Sequence, residues 1–473
     1  MESRNNAQRS RNTQKMARQQ SRNAKKLERQ RSRNAQKQAR QKSRNAKKQQ
    51  SIDKKRARQQ SRNDRQLKAR SSRNDRQLKA RSSRNDRQLK ARSSRKPVRG
   101  GAAVGAGAYG CVFRPALHCA GEPSRRRDAV TKLGRTADIE QEKNTIDAVR
   151  AILSEVPRYE HYFVLEGTAV CEPAPLQESD LQNAGICHTF KGMEINDNLA
   201  GLRALTMPDG GMDLLDYCNE LTVDEQAFKS INTLLLDLVE NGIVPMSTAG
   251  IIHGDIKFEN LVIDPQRKTS IRLIDWGNAK VSVPTMLRHT VTPLVFNRPP
   301  GSVFLHADIN DRLATLSEQL GEEATTESLA NALRESVGEH RDSANIDIII
   351  RFVYGSDVTD IRTDRTTMQN THLASILRKY YNGSVFEQQR FITETYIHNC
   401  DLYGFVVMYA LMIAAMTQFE FENDTFDRTA RRLVKDFVLS ATYASDRMDS
   451  QKLLDAMHTL GACVDPRKRA RLE

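Results

Sequence analysis

The sequence predicts an α+β fold behind a long basic tail, and four segments of this 473-residue chain carry that expectation. A glycine-rich stretch, VGAGAYGCVF (104–113), precedes a β-type run, AVTKL (129–133). An amphipathic helix starts at Asp138, where Ile139, Glu142, Ile146, Val149 and Leu153 fall at spacings of 3, 4, 3 and 4 on one stripe. Further on, FVVMYALMIAAM (405–416) has the composition of a buried helix and is too short for the roughly 20 residues that span a bilayer.

The tail comes first in chain order. Residues 1–96 hold 35 Lys and Arg against 6 Asp and Glu, and the rest of the chain holds 39 against 52. A net of +29 is thus joined to a body of −13, a split that the overall +16 conceals. The block SRNDRQLKARS occurs unchanged at 61–71, 72–82 and 83–93, with degenerate copies starting at Ser10, Ser21, Ser32 and Ser43. An 11-residue period puts Leu67, Leu78 and Leu89 near one helical stripe. One Leu per repeat buries too little surface to offset the entropy of ordering, so a disordered or partly helical tail is expected. Its cations suit nonspecific binding to nucleic acid or another polyanion by counterion release. No aromatic residue lies in 1–96, so base stacking is not expected.

The N-terminus lacks an apolar run, so no secretory signal is expected. The seven cysteines (Cys111, Cys119, Cys171, Cys187, Cys218, Cys400 and Cys463) are scattered and odd in number, which reads as free thiols in a reducing compartment. A terminal basic cluster, PRKRAR (466–471), suits either a nuclear-import signal or a soluble end.

In the glycine-rich stretch, Gly105, Gly107 and Gly110 have GxGxxG spacing, which lets backbone approach phosphates. Val130 and Lys132 share one face of the following strand at period 2. Glu142 sits inside the apolar stripe of the helix, and a buried carboxylate needs a partner, for which Lys132 is the candidate and Glu140 the second-choice acid. HGDIKFENLVID (253–264) and IRLIDWGNA (271–279) then place Asp255, Asn260 and Asp275 on two short loops, the set that phosphoryl transfer needs: a base candidate and two oxygen ligands for a cation.

In this order the motifs resemble the eukaryotic-type protein kinase superfamily from about residue 97 onward: the Gly-rich loop, Lys132, Glu142, HxDxKxxN (His253, Asp255, Lys257, Asn260) and a DFG-like Asp275-Trp276-Gly277. The resemblance implies a two-lobed fold, with a small β-rich N-lobe carrying one key helix over 97–208 and a larger, mainly helical C-lobe over 209–473. It implies ATP and Mg2+ as cofactors and serine or threonine hydroxyls of proteins as acceptors. By the same resemblance Asp255 is the catalytic base and Lys257 neutralises the γ-phosphate. Val104, Gly105, Ala106, Gly107, Ala108, Tyr109, Gly110, Cys111, Val112, Val130, Lys132, Glu142 and Met207 surround the nucleotide, and Asn260 and Asp275 hold the metal. Leu205 stands near the gatekeeper position, VTPLVFNRPP (291–300) is similar to the end of an activation segment, and Asp401 would support the catalytic loop from a buried helix.

Several positions depart from the family pattern. Gly254 stands where most kinases have arginine, so activation by loop phosphorylation is not expected. Pro300 replaces the glutamate of Ala-Pro-Glu, and about 303–399 is an insertion large enough for a substrate or partner platform. The combination is similar to serine/threonine kinases inferred in large DNA viruses such as iridoviruses, which implies the cytoplasm or nucleus of a host cell, or a virion. Two alternatives stay open: a small-molecule phosphotransferase of the same fold, and a catalytically weak or inactive polyanion-binding scaffold.

Overall fold

The computed structural model describes residues 102–107, 110–181, 184–220, 225–264, 266–287, 294–338, 343–416 and 424–464. All belong to one unit, Val98–Glu473. The basic tail, Ala108, Tyr109 and the PRKRAR cluster lie outside the described residues.

The architecture is mixed α+β, a small antiparallel sheet followed by a mainly helical part. Strands β1 (Ala102–Gly107), β2 (Gly110–Arg114), β3 (Ala129–Arg135), β4 (Ala169–Cys171) and β5 (Leu202–Pro208) form one antiparallel sheet in the order β1-β2-β3-β5-β4. Register sets its faces, because residues directly opposite in an antiparallel pair point the same way. Val112 lies opposite Lys132, Lys132 opposite Leu205 and Val130 opposite Met207, so these five share one face. Cys111, opposite Leu133, points to the other.

Helix α1 (Thr136–Leu153) lies on the Lys132 face. Asp138 in its first turn and Arg150 in its last complement the helix dipole. Its buried residues are Ile139, Glu142, Ile146, Val149 and Leu153, the stripe that the sequence spacing predicts. The opposite face of the sheet is covered by the chain between β4 and β5, where Leu176, Cys187, Phe190 and Ile195 pack on Ala103, Phe113 and Leu133. Arg125 and Asp180 anchor this cover through two 2.5 Å contacts, with Asp180 fully buried.

Two disulfides cross-link this region: Cys111 of β2 joins Cys187 of the cover, and Cys119 of the β2–β3 connection joins Cys171 at the end of β4, with Cα–Cα distances of 5.5 and 5.8 Å. This corrects the expectation of seven free thiols; Cys218, Cys400 and Cys463 take part in neither disulfide. The partners are 76 and 52 residues apart, so only the folded sheet brings them within bonding range. Disulfides persist in oxidising surroundings, which conflicts with the reducing compartment expected from the scattered spacing.

A second sheet of β6 (Met212–Asp213), β7 (Leu261–Ile263) and β8 (Ile271–Leu273) leads into the helical part. The segment expected as an insertion contains helices α2 (Ile309–Leu320), α3 (Thr326–Ser336), α4 (Ser343–Tyr354) and α5 (Ile361–Tyr380). It is built into the body, since Phe304, Leu373 and Phe391 of the segment share one core with Ile252, Met286, Leu294 and Ala444 outside it, and Phe304 stacks on Phe386 at 4.5 Å. Burying each such aromatic is worth roughly 1.5–3 kcal/mol. Helix α6 (Ile397–Met416) is apolar on nearly all sides and runs through the main core. Among the described residues, one helical run, Gln388–Met416, is long and apolar enough to cross a membrane, and 89% of its apolar window is buried in the protein, as in a core helix.

Candidate functional site

Lys132, itself buried, ends in a three-way ionic contact. Its Nζ lies 2.7 Å from Glu142 Oε2 and 2.8 Å from Asp275 Oδ1. Strand β3 supplies the lysine, α1 the glutamate and the turn after β8 the aspartate, so one cation draws three elements together. Glu140 is exposed and takes no part. Burial works against charge on Lys132, but the two carboxylates outweigh it and hold its pKa above the usual lysine value. Glu142 is pushed up by burial and by Asp275 and pulled down by Lys132, with a net upward shift. Its ionisation therefore depends on the lysine staying in place.

The two loops meet because β7 and β8 form a hairpin. Leu261 pairs with Leu273, which puts Asn260 just before one strand and Asp275 just after the other. The backbone of Ile274 donates to the carbonyl of Asn260 at 3.0 Å. Asp275 has φ +66 and ψ 68, a left-handed conformation that costs a non-glycine residue roughly 1–2 kcal/mol. Such strain concentrates at functional sites. Trp276 follows it into the core and meets Phe163 and His253 edge-on at 5.6 and 4.9 Å.

The loop carrying Asp255 is held from beneath by α6. Asp401, 2% exposed, accepts from the backbone N–H of His253 at 2.7 Å and of Gly254 at 2.8 Å. Gly254 has φ +73, the left-handed region that glycine alone enters without cost. Three residues along the same helix, a Cβ on Gly404 would lie 2.7 Å from the carbonyl oxygen of Asn297, so only glycine lets the two backbones approach this closely.

Both oxygens of Asp255 are engaged. Oδ1 accepts from Asn297 Nδ2 at 2.8 Å, while Oδ2 accepts from Asn260 Nδ2 at 3.1 Å and lies 3.3 Å from Lys257 Nζ. Burial raises the carboxyl's pKa, but Lys257, the Asn297 hydrogen bond, His253 and Arg298 together hold it below the ordinary aspartate value. It is therefore an anion at neutral pH, placed to accept a hydrogen bond from a hydroxyl. Asn260 commits its amide nitrogen to Asp255, donating also to that residue's carbonyl at 2.8 Å, so its amide oxygen is what it can offer a cation. That oxygen and the Asp275 carboxylate are hard donors of the kind magnesium takes.

The remaining predicted residues divide between the two sides of the sheet. Val112 and Val130 share the Lys132 face, and Met207, half-buried on β5, lies opposite Val130. Val104 is exposed, and Gly105, Gly107 and Gly110 form the β1–β2 hairpin with Gly107 paired to Gly110. Ala106 pairs with Cys111. Cys111 does not join the group, because its disulfide faces the cover on the other side. Ala108 and Tyr109, at the tip, lie outside the described residues.

Sequence reasoning missed Asn297 and Arg298. Arg298 Nε donates to the carbonyl of Gly254 at 2.6 Å, beside the contact of Asn297 with Asp255. The available signal was a polar pair between the apolar PLVF and two prolines, where a buried polar residue needs a specific partner. Neither the comparison with protein-family models nor that with curated proteins finds a match for the chain.

Proposed function

We propose that the chain is an ATP- and Mg2+-dependent serine/threonine protein kinase of two lobes. The observation that carries this reading is the joining of Lys132, Glu142 and Asp275 beside a loop in which Asp255 is ionised, oriented by two amides and flanked by Lys257. Phosphoryl transfer is mostly positioning and charge neutralisation, and this set provides both. Lys132, oriented by Glu142, would hold the nucleotide's phosphates, and the GxGxxG hairpin would bring backbone N–H groups to them. Asp255 would orient the acceptor hydroxyl and take its proton as the new oxygen–phosphorus bond forms and the bond from the γ-phosphorus to the β–γ bridging oxygen breaks, releasing ADP, and Lys257 would offset charge on the transferred group. Bound through Asn260 and Asp275, magnesium would neutralise phosphate charge. The five-stranded sheet order and the support of the loop by Asp401 fit the same reading.

The test is transfer of labelled phosphate from ATP to a generic basic protein. Asp255→Asn should abolish transfer with nucleotide binding largely retained; turnover preserved in this variant would refute the assignment of the base. Gly254 favours a second reading, a small-molecule phosphotransferase, which a screen of peptides against small hydroxyl acceptors separates. The basic tail is proposed to tether the chain to nucleic acid or another polyanion, with affinity that falls steeply as salt rises.

A further inference from the structure

We infer that Arg298 and Asn297 form a clasp that holds the Asp255 loop in working geometry in the unmodified chain; this rests on the kinase reading above. Two adjacent side chains touch three consecutive loop residues. Arg298 reaches the carbonyl of Gly254, and Asn297 reaches the carboxylate of Asp255 at 2.8 Å and the carbonyl of Ile256 at 3.3 Å. From the opposite side Asp401 takes the N–H groups of His253 and Gly254. Gly254 is thereby pinned at its N–H and its C=O.

The clasp is pre-formed for local reasons. Pro299 and Pro300 follow Arg298, and a residue before proline is confined to extended backbone, so little freedom is lost in docking it. Asn297 is 4% exposed, which leaves its amide no solvent to fall back on. Gly404 supplies the space its carbonyl needs.

Charge completes the argument. The loop carries glycine at position 254, so the cation that serves it comes from the segment after it: Arg298 Nε donates to the Gly254 carbonyl at 2.6 Å. The other charged or titratable groups bearing on Asp255 are His253 and Lys257 of its own loop. A phosphorylated side chain is not required to recruit an arginine that is already bonded to the loop backbone. Asn297 and Arg298 are therefore positioning residues, and the enzyme works without phosphorylation of the segment that ends in VTPLVFNRPP (291–300).

The experiment compares full-length wild type with Arg298→Met, Arg298→Lys and Asn297→Asp, after phosphatase treatment. Arg298→Met and Asn297→Asp should lower kcat about 10- to 100-fold, the scale of a small misplacement of a reacting group, with KM for ATP little changed. Arg298→Lys should fall between. Amide exchange at 253–256 should quicken in Arg298→Met. Unchanged kcat and unchanged exchange in that variant would overturn the clasp, as would phosphatase-treated wild type that is inactive until rephosphorylated. If wild type transfers no phosphate at all in either form, the kinase reading fails and the exchange measurement alone decides the clasp. Should Arg298→Met not fold, Asn297→Asp and Arg298→Lys carry the same comparison.

Discussion

Replacing Lys132 with methionine removes the one cation between Glu142 and Asp275 while keeping the volume of its stem. The side chains of Lys132 and Glu142 are 9% and 5% exposed, and their charged atoms are 2.7 Å apart. Removing one partner of so buried a pair costs roughly 3–5 kcal/mol, because the remaining charge is left without compensation. Glu142 can escape part of that cost by taking a proton. Its pKa is already raised by burial, and loss of Lys132 removes the influence that lowers it. Between its unfolded value and the raised folded value the native state then binds more protons than the unfolded state, so the variant loses stability as pH rises through that window. Urea denaturation of wild type and Lys132→Met at pH 5 and pH 8 reads this out. The loss should be about 3–5 kcal/mol at pH 8 and smaller at pH 5, and Glu142→Gln added to Lys132→Met should recover part of it at pH 8. A loss below about 1 kcal/mol at both pH values, or no recovery in the double variant, would refute the reasoning.

Other expected outcomes are as follows. Asp401→Ala strands two buried backbone N–H groups and should cost about 2–5 kcal/mol in chemical denaturation; a cost near zero would mean that α6 does not support the loop. Gly254→Ala meets Ile252 and Asn278 only at ordinary contact distances of 3.6 and 3.7 Å, so its cost should be the left-handed strain alone, about 1–2 kcal/mol by the same measurement. His372 is fully buried, and burial lowers its pKa to about 4. Unfolded protein therefore binds the extra proton between about pH 4 and 6.5, stability should rise across that window by roughly 3 kcal/mol, and His372→Gln should flatten the rise. Reducing the two disulfides should cost about 2–4 kcal/mol each, read as a lower melting temperature with dithiothreitol, and Cys187→Ser should reproduce one share of it.

What could be read in the sequence was local. The stripe of α1 follows from helical spacing alone, and Glu142 stood out because a carboxylate interrupted it. Asn260 and Asp275 could be paired because β-type runs flank their loops and a hairpin joins them. Non-local contacts were hidden. The disulfide partners, the side of the sheet that Cys111 faces and the reach of Asn297 and Arg298 across more than forty residues to the Asp255 loop depend on register and chain path, which composition does not carry. The apolar run 405–416 is shorter than α6, which extends back to Ile397 through the polar residues Asn399 and Asp401. Both are buried polar groups with hydrogen-bond partners, Asn399 through Tyr443, Asp446 and Met448 and Asp401 through the loop.

Transfer of the γ-phosphate of ATP by the full-length chain, measured beside Asp255→Asn, tests the central claim most directly. Wild type should phosphorylate serine or threonine in a basic protein acceptor with added magnesium, and the variant should bind nucleotide without transferring it. A folded, nucleotide-binding wild type that transfers phosphate to no protein acceptor, or a variant as active as wild type, would contradict the account.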